Sequence, residues 1–392
     1  MDIGEELTRV TLGIDRLYRS QAGGGGVLDR EGLVPVILAD VAPVQLMDWN
    51  EAEARLVELA GRIEPAGDAM RRAYLEEMID SLRGLIATFR GDPQSYVERV
   101  QRCLRVDARG ASSALMDQYR DDIDRLLQRA GYVAGTMAER VMRWEEDHQV
   151  APESVPTMLK DLLDAARERT VQKMFPLPDG LVMDPVGVRG VPFSAYCDYM
   201  GRQLRINLDY VYTRSSLKHL ACHEAFPGHL VHLALRERLT QAGQMPLDAA
   251  LVVTSSASSA LFEGIGENGI SFLDWLEDDD DILGMTLNRL RSAARMNAAL
   301  LIHQNRRPLD EARAYLRETC FATPAWVESR LAFLTHPLRA PFIFAYWCGD
   351  RAVEQVWKRT ASNQRSFFFQ YLYHHMHTVT TLDRYWPIRA QE

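Results

Sequence analysis

Apolar side chains recur at spacings of three and four along most of the chain. Between residues 5 and 19, Leu7, Val10, Leu12, Ile14 and Leu17 stand among charged neighbours and predict a helix. From about 43 to 175 the rhythm continues, as in Leu56, Leu59 and Ile63, or Tyr74, Met78, Leu82 and Ile86. Gly-Asp-Pro at 91–93 and Ala-Pro at 151–152 punctuate it, and QAGGGG at 21–26 reads as a break. No segment repeats at a fixed period, which argues against a solenoid. The texture changes at about 176, and residues 175–192 are rich in proline and glycine. Leu204, Ile206 and Leu208 then alternate with Arg205, Asn207 and Asp209, the period of a short half-buried strand over 203–210. Helical spacing returns at Ser215 and runs nearly to the end. The pattern predicts a mainly α fold with a short β element. It divides into an N-terminal helical region at 1–175 and a chemistry-bearing region at 176–392, packed together as one unit.

Composition narrows function more than fold. Of 392 residues, 47% are hydrophobic and 25% charged, which excludes a disordered or collagen-like chain. The net charge of −9 makes nucleic acid and anionic lipid poor partners. The N-terminus lacks the basic and apolar regions of a secretory signal. The densest apolar run, 341–348, is too short to span a bilayer. Five scattered cysteines without a CxxC pair predict free thiols in a reducing cytoplasm. Cys222, beside a histidine, reads as a small buried residue before it reads as a reactive thiol. Apolar faces in the N-terminal half could also serve a second subunit, which leaves a homo-oligomer open.

One segment concentrates chemistry. From His219 to His232 the chain reads HLACHEAFPGHLVH, although histidine is only 10 of 392 residues. FEGIGENG follows at 262–269 and brings Glu263 and Glu267. Imidazoles and carboxylates are zinc ligands. In a zinc-peptidase HExxH helix the histidines are four apart and share a face. His223 and His229 are six apart, and six residues turn a regular helix by about 600°, leaving them about 120° apart. Pro227 lacks an N–H, and Gly228 tolerates unusual dihedrals. A bulge at Phe226–Gly228 could bring His229 back to the side of His223. His219 shares the face of His223 and forms a rival pair. Glu267, one turn after Glu263, could orient a ligand or replace it. His232 reads as core or as support for a ligand.

Other polar groups are candidates around such a site. Arg291 and Arg295, one turn apart, could grip a substrate carboxylate. Asn207 lies on the strand, where a peptide could align along the edge. His374, His375 and His377 cannot all face one ion, since helical neighbours point about 100° apart. The acidic run at 277–281 reads as a solvated helix junction.

HEAFPGH resembles the HExxPGHH hallmark of a bacterial family known as domain of unknown function 885. That family is similar to the mostly helical zinc peptidases whose third ligand is a glutamate. Roughly residues 176–385 carry the resemblance. They include INLDYVYTRSSLKHLACHEAFPGH, FEGIGENG, RMNAALLIHQNRRPLDEARAYL (295–316) and VESRLAFLTHPLRAPFIFAYWCGD (327–350). The resemblance implies that His223, His229 and Glu263 bind a zinc ion and that Glu224 is the general base. It implies Tyr346 as oxyanion stabiliser, with His303 and Arg295 on the substrate side. The family's second consecutive histidine is Leu230 here, its tryptophan is Ile265, and an aspartate is Ala299. The expected activity is metal-dependent hydrolysis of a peptide or small amide. A non-peptidase tailoring enzyme and a metal-free binding module are the alternatives.

Overall fold

The computed structural model describes residues 2–21, 31–63, 68–191 and 193–386. Residues 22–26 of the expected QAGGGG break lie outside them. The fold is mainly α, with 67% of residues helical. No helix among the described residues is long and apolar enough to cross a membrane.

The predicted stripes form the helix faces that are buried. Ile3–Gln21 buries Leu7, Val10, Leu12, Ile14 and Leu17. Trp49–Gly61 buries Leu56 and Leu59 and ends before Ile63. Ala69–Arg90 buries Tyr74, Met78, Leu82 and Ile86. Asp68 caps its start, accepting from the Met70 and Arg71 amides, and Gly91 ends it in the left-handed conformation. Each fully buried leucine on such a face contributes about 1.5–3 kcal/mol.

Two compact units are assembled from discontinuous stretches. One comprises Met1–Ala108, His232–Gly264 and Cys348–Glu392; the other comprises Arg109–Val231 and Ile265–Trp347. The boundary expected near 176 falls inside the second unit. The reason is local: the proline- and glycine-rich stretch contains a strand that packs back on the helix Val155–Lys173. In the first unit, β1 (Val36–Ile37) pairs antiparallel with a strand at Leu251–Val252. In the second, β2 (Asp184–Val188) and β3 (Ala195–Asp198) flank β4 (Gln203–Asn207), β2 parallel and β3 antiparallel to it.

The sheet leads directly into the motif. β4 stops at Asn207, short of the expected 203–210, because the Asn207 side chain accepts from the Asp209 amide (3.0 Å) and turns the chain. Tyr212 then donates its hydroxyl to the Ser194 and Asn207 carbonyls, at 2.8 and 3.1 Å. Thr213 and Ser216 form a capping box that starts the helix Arg214–Leu220. That helix is anchored by Lys218, which is fully buried and paired with Glu277 and Asp281. The acidic run is thus not simply solvated. Asp278 caps the long helix Asp279–His303, and Asp281 is buried against the lysine.

Candidate metal centre

The motif departs from α geometry earlier than the sequence suggests. Ala221–Ala225 forms a π turn, so the widening begins five residues before the expected bulge at Phe226–Gly228. The Phe226 amide donates to the Ala221 carbonyl (3.0 Å) and the Gly228 amide to the Cys222 carbonyl (3.0 Å). Pro227 follows a cis peptide bond. Regular helix resumes at His229. The detour returns His229 to the side of His223, with ring centroids 4.7 Å apart and edge to face.

Glycines set the closest approaches. A Cβ at Gly228 would lie 1.8 Å from the His223 carbonyl oxygen and 2.5 Å from that of Cys222. A Cβ at Gly266 would lie 2.8 Å from His223 Nδ1. The helix Ser259–Phe272 therefore lays its glycine face on the His223 imidazole. Neither contact is visible as a motif in the sequence, although glycines inside a helical stretch are a signal of close backbone approach. Gly228→Ala should cost about 1–3 kcal/mol of stability through overpacking. The displaced atom belongs to His223, so the imidazole should shift with it. Urea unfolding of both proteins checks the loss of stability.

Two overlapping sets of donors result. The ligand atoms of His223, His229 and Glu263 lie within 4.8 Å of one another, and so do those of His219, His223 and Glu267. His223 and Glu263 are buried, 5% and 8% exposed, and Glu224 on the π turn is buried too. In the second set His219 Nε2 is 3.4 Å from Glu267 Oε2, and His223 Nδ1 is 3.7 Å from Glu267 Oε1. Asn288 Nδ2 donates to Glu267 Oε2 at 3.0 Å and approaches His219 Nε2 at 3.4 Å. Burial pushes His223 down to about 4, against the pull of Glu267, and burial with the Arg289 charge pushes His219 down to about 4. Both rings are therefore neutral at physiological pH, the form that binds a metal.

The remaining candidates divide. Tyr346 meets Phe342 edge to face (5.5 Å) and carries the Arg295 guanidinium over its ring (5.1 Å). Arg291 is committed elsewhere: it forks to Glu145 at 2.8 and 3.3 Å and donates to the Cys320 carbonyl at 3.1 Å. Its guanidinium is thus engaged within the protein. Asn207 is not on a strand edge. It lies on the middle strand, 2% exposed, and donates to the Val191 and Phe193 carbonyls at 3.0 and 3.1 Å. His303 Nε2 is 2.7 Å from the Leu334 carbonyl oxygen, so that nitrogen is occupied by backbone. His232 packs between Phe262 and Tyr373, at 4.5 and 5.6 Å. His375 and His377 each place a ring nitrogen 3.1 Å from the Tyr371 carbonyl. Leu230, Ile265 and Ala299 are all fully buried. Cys222 is buried as well, and burial pushes its thiol up, as for a packing residue.

No family model matches the chain, and no curated protein matches it. Solved structures share the fold. One is a "putative lipoprotein" from Colwellia psychrerythraea, 16% identical with a TM-score of 0.57, covering 85% of this chain and 65% of that one. Another is a "putative lipoprotein of unknown function" from Shewanella oneidensis, 12% identical with a TM-score of 0.54, covering 86% of this chain and 73% of that one. The chain thus spans less than two thirds of the Colwellia protein's length. At these identities the likeness is one of fold.

Proposed function

We propose that the chain is a zinc-dependent hydrolase of peptide or small amide bonds, related to the domain of unknown function 885 family. One observation carries the reading: two imidazoles and a carboxylate converge within 4.8 Å, and a buried glutamate follows the first histidine in the chain. Two nitrogens and one oxygen are a donor set zinc favours in catalytic sites. His223, His229 and Glu263 would hold the ion. Glu267, engaged by Asn288 and facing His223 Nδ1, orients that ring rather than binding metal.

When bound, zinc polarises a carbonyl and makes water more acidic. Glu224 takes the proton from the attacking water and passes it to the leaving amine. Tyr346 donates its hydroxyl to the oxygen on which negative charge develops. The five cysteines are all free, which supports a reducing cytoplasm as the site of action.

Metal analysis of the purified, zinc-reconstituted protein tests the reading. About one zinc per chain is expected, lost in His229→Ala and kept in His219→Ala. The opposite pattern assigns the ion to His219, His223 and Glu267. A wild-type protein that takes up no zinc ends the proposal. Digestion of a peptide library with and without a chelator then separates a hydrolase from a binding module.

A further inference from the structure

Two arginines of the second unit have no acidic partner. Among the described residues, neither Arg295 nor Arg330 pairs with a carboxylate. Arg295 makes one long hydrogen bond, from Nη2 to Ser292 Oγ at 3.4 Å. The Nε of each is buried without a hydrogen-bond partner. Their neighbours are aromatic instead. Arg295 lies over Tyr346, while Arg330 lies over Tyr210 (5.6 Å) and Trp326 (5.1 Å). Tyr210 is itself held by a 2.5 Å hydrogen bond to Ser329. Arg291, one turn before Arg295, shows the contrast, since Glu145 neutralises it.

The two cations lie in one neighbourhood, since Arg330 shares the Trp326 ring with Arg291, one turn before Arg295, at 5.1 and 5.8 Å. Burial, and next the like charge of Arg295, push Arg330 down to about 10, so it remains a cation at neutral pH. Ring faces compensate a guanidinium only in part. Two such groups without a counter-charge are costly, and an arriving anion offsets that cost. The pair also belongs to the surroundings of the motif. The Arg295 charge is felt at His223, and the Tyr212 ring feels both Arg330 and Glu224. Tyr346, Tyr210 and Trp326 are only half-buried, so the group is accessible.

We propose that Arg295 and Arg330 together receive a carboxylate of the substrate, so that the chain acts on short peptides with a free C-terminal carboxylate. The planar guanidinium fork matches a carboxylate, and two forks fix its orientation. The substrate class rests on the hydrolase reading; the anion receptor does not.

The test therefore begins with binding. A mixed tetrapeptide library is prepared as free acids and as C-terminal amides. Each is equilibrated with zinc-stripped protein, and the bound fraction is measured by mass spectrometry. Wild type should retain the acids about ten- to a hundred-fold better than the amides. Arg330→Gln should remove that preference, and Arg330→Lys should restore part of it. Arg295→Gln carries the same test if the first variant is unfolded by circular dichroism. Equal retention of acids and amides by wild type, or no retention of either, overturns the proposal. Hydrolysis of both libraries at equal rates would overturn it while leaving the hydrolase standing. Acid-selective binding without turnover would leave the receptor standing and remove the hydrolase.

Discussion

On the proposed hydrolase reading, replacing Glu224 with glutamine should lower peptide hydrolysis by about 10²–10⁴-fold while zinc stays bound. Glutamine preserves the shape of the side chain and its carbonyl acceptor but cannot take a proton. Glu224 belongs to neither donor set among the described residues, so the ligands are untouched. It sits on the π turn directly after His223, and its charge acts on Tyr212 and Cys197. Rate and metal content should therefore separate. Turnover equal to wild type would place the general base elsewhere. Loss of zinc along with activity would make Glu224 a ligand.

The parts of this site that were legible in the sequence are the ones written in residue type. Histidine clustering marked His223 and His229, and the acidic FEGIGENG marked Glu263 and Glu267; the structure places them in two sets that share His223. Helical spacing located the buried stripes of Ile3–Gln21 and Ala69–Arg90 because burial there follows a single period. What escaped depends on contacts between distant segments. Asn207 read as an edge residue because its strand alternates, but alternation cannot say how many neighbours a strand has. β2 and β3 occupy both sides. Spacing alone cannot separate Arg291 from Arg295, because Glu145, 146 residues earlier, pairs with Arg291 through the fold. Arg330 lies in the segment 327–350 that carries the family resemblance, but nothing in the sequence shows that no carboxylate among the described residues pairs with it.

The same distinction explains the bend. The sequence identified Pro227 and Gly228 as the weak point of the helix, and both lie in the non-helical step from Phe226 to Gly228. Pro227 donates no N–H, and the amides on either side of it, of Phe226 and Gly228, reach back to the Ala221 and Cys222 carbonyls across the π turn. Gly228 is required for space rather than for dihedral freedom, because the carbonyls of Cys222 and His223 fill the position of its Cβ. Gly266 plays the matching part on the opposing helix, where any side chain would meet the imidazole. Site geometry thus rests on backbone packing as much as on the ligands.

Lys218→Met should destabilise the protein by about 3–5 kcal/mol, measured as a lower urea midpoint. The lysine is fully buried, and its ammonium donates to Glu277 at 2.8 Å, to the Trp275 carbonyl at 3.3 Å, and to Asp281. Methionine fills similar space but leaves Asp281, 3% exposed, without its cation. The double variant Lys218→Met, Asp281→Leu should recover much of the loss, because removing both charges also removes the uncompensated one. If the double variant is as unstable as the single, packing and not charge is the cause. The lysine also holds Glu277 below its usual carboxylate value, chiefly by their hydrogen bond. That contribution is full above the ordinary value of 4.5 and is lost as pH falls through the lower folded value, so the wild type should lose this advantage over Lys218→Met in acid. Lys218 lies on the helix that runs into the π turn, one turn before Cys222 and His223. On the proposed reading, loosening this anchor should therefore weaken zinc binding before the chain unfolds, and zinc titration in low urea would show it.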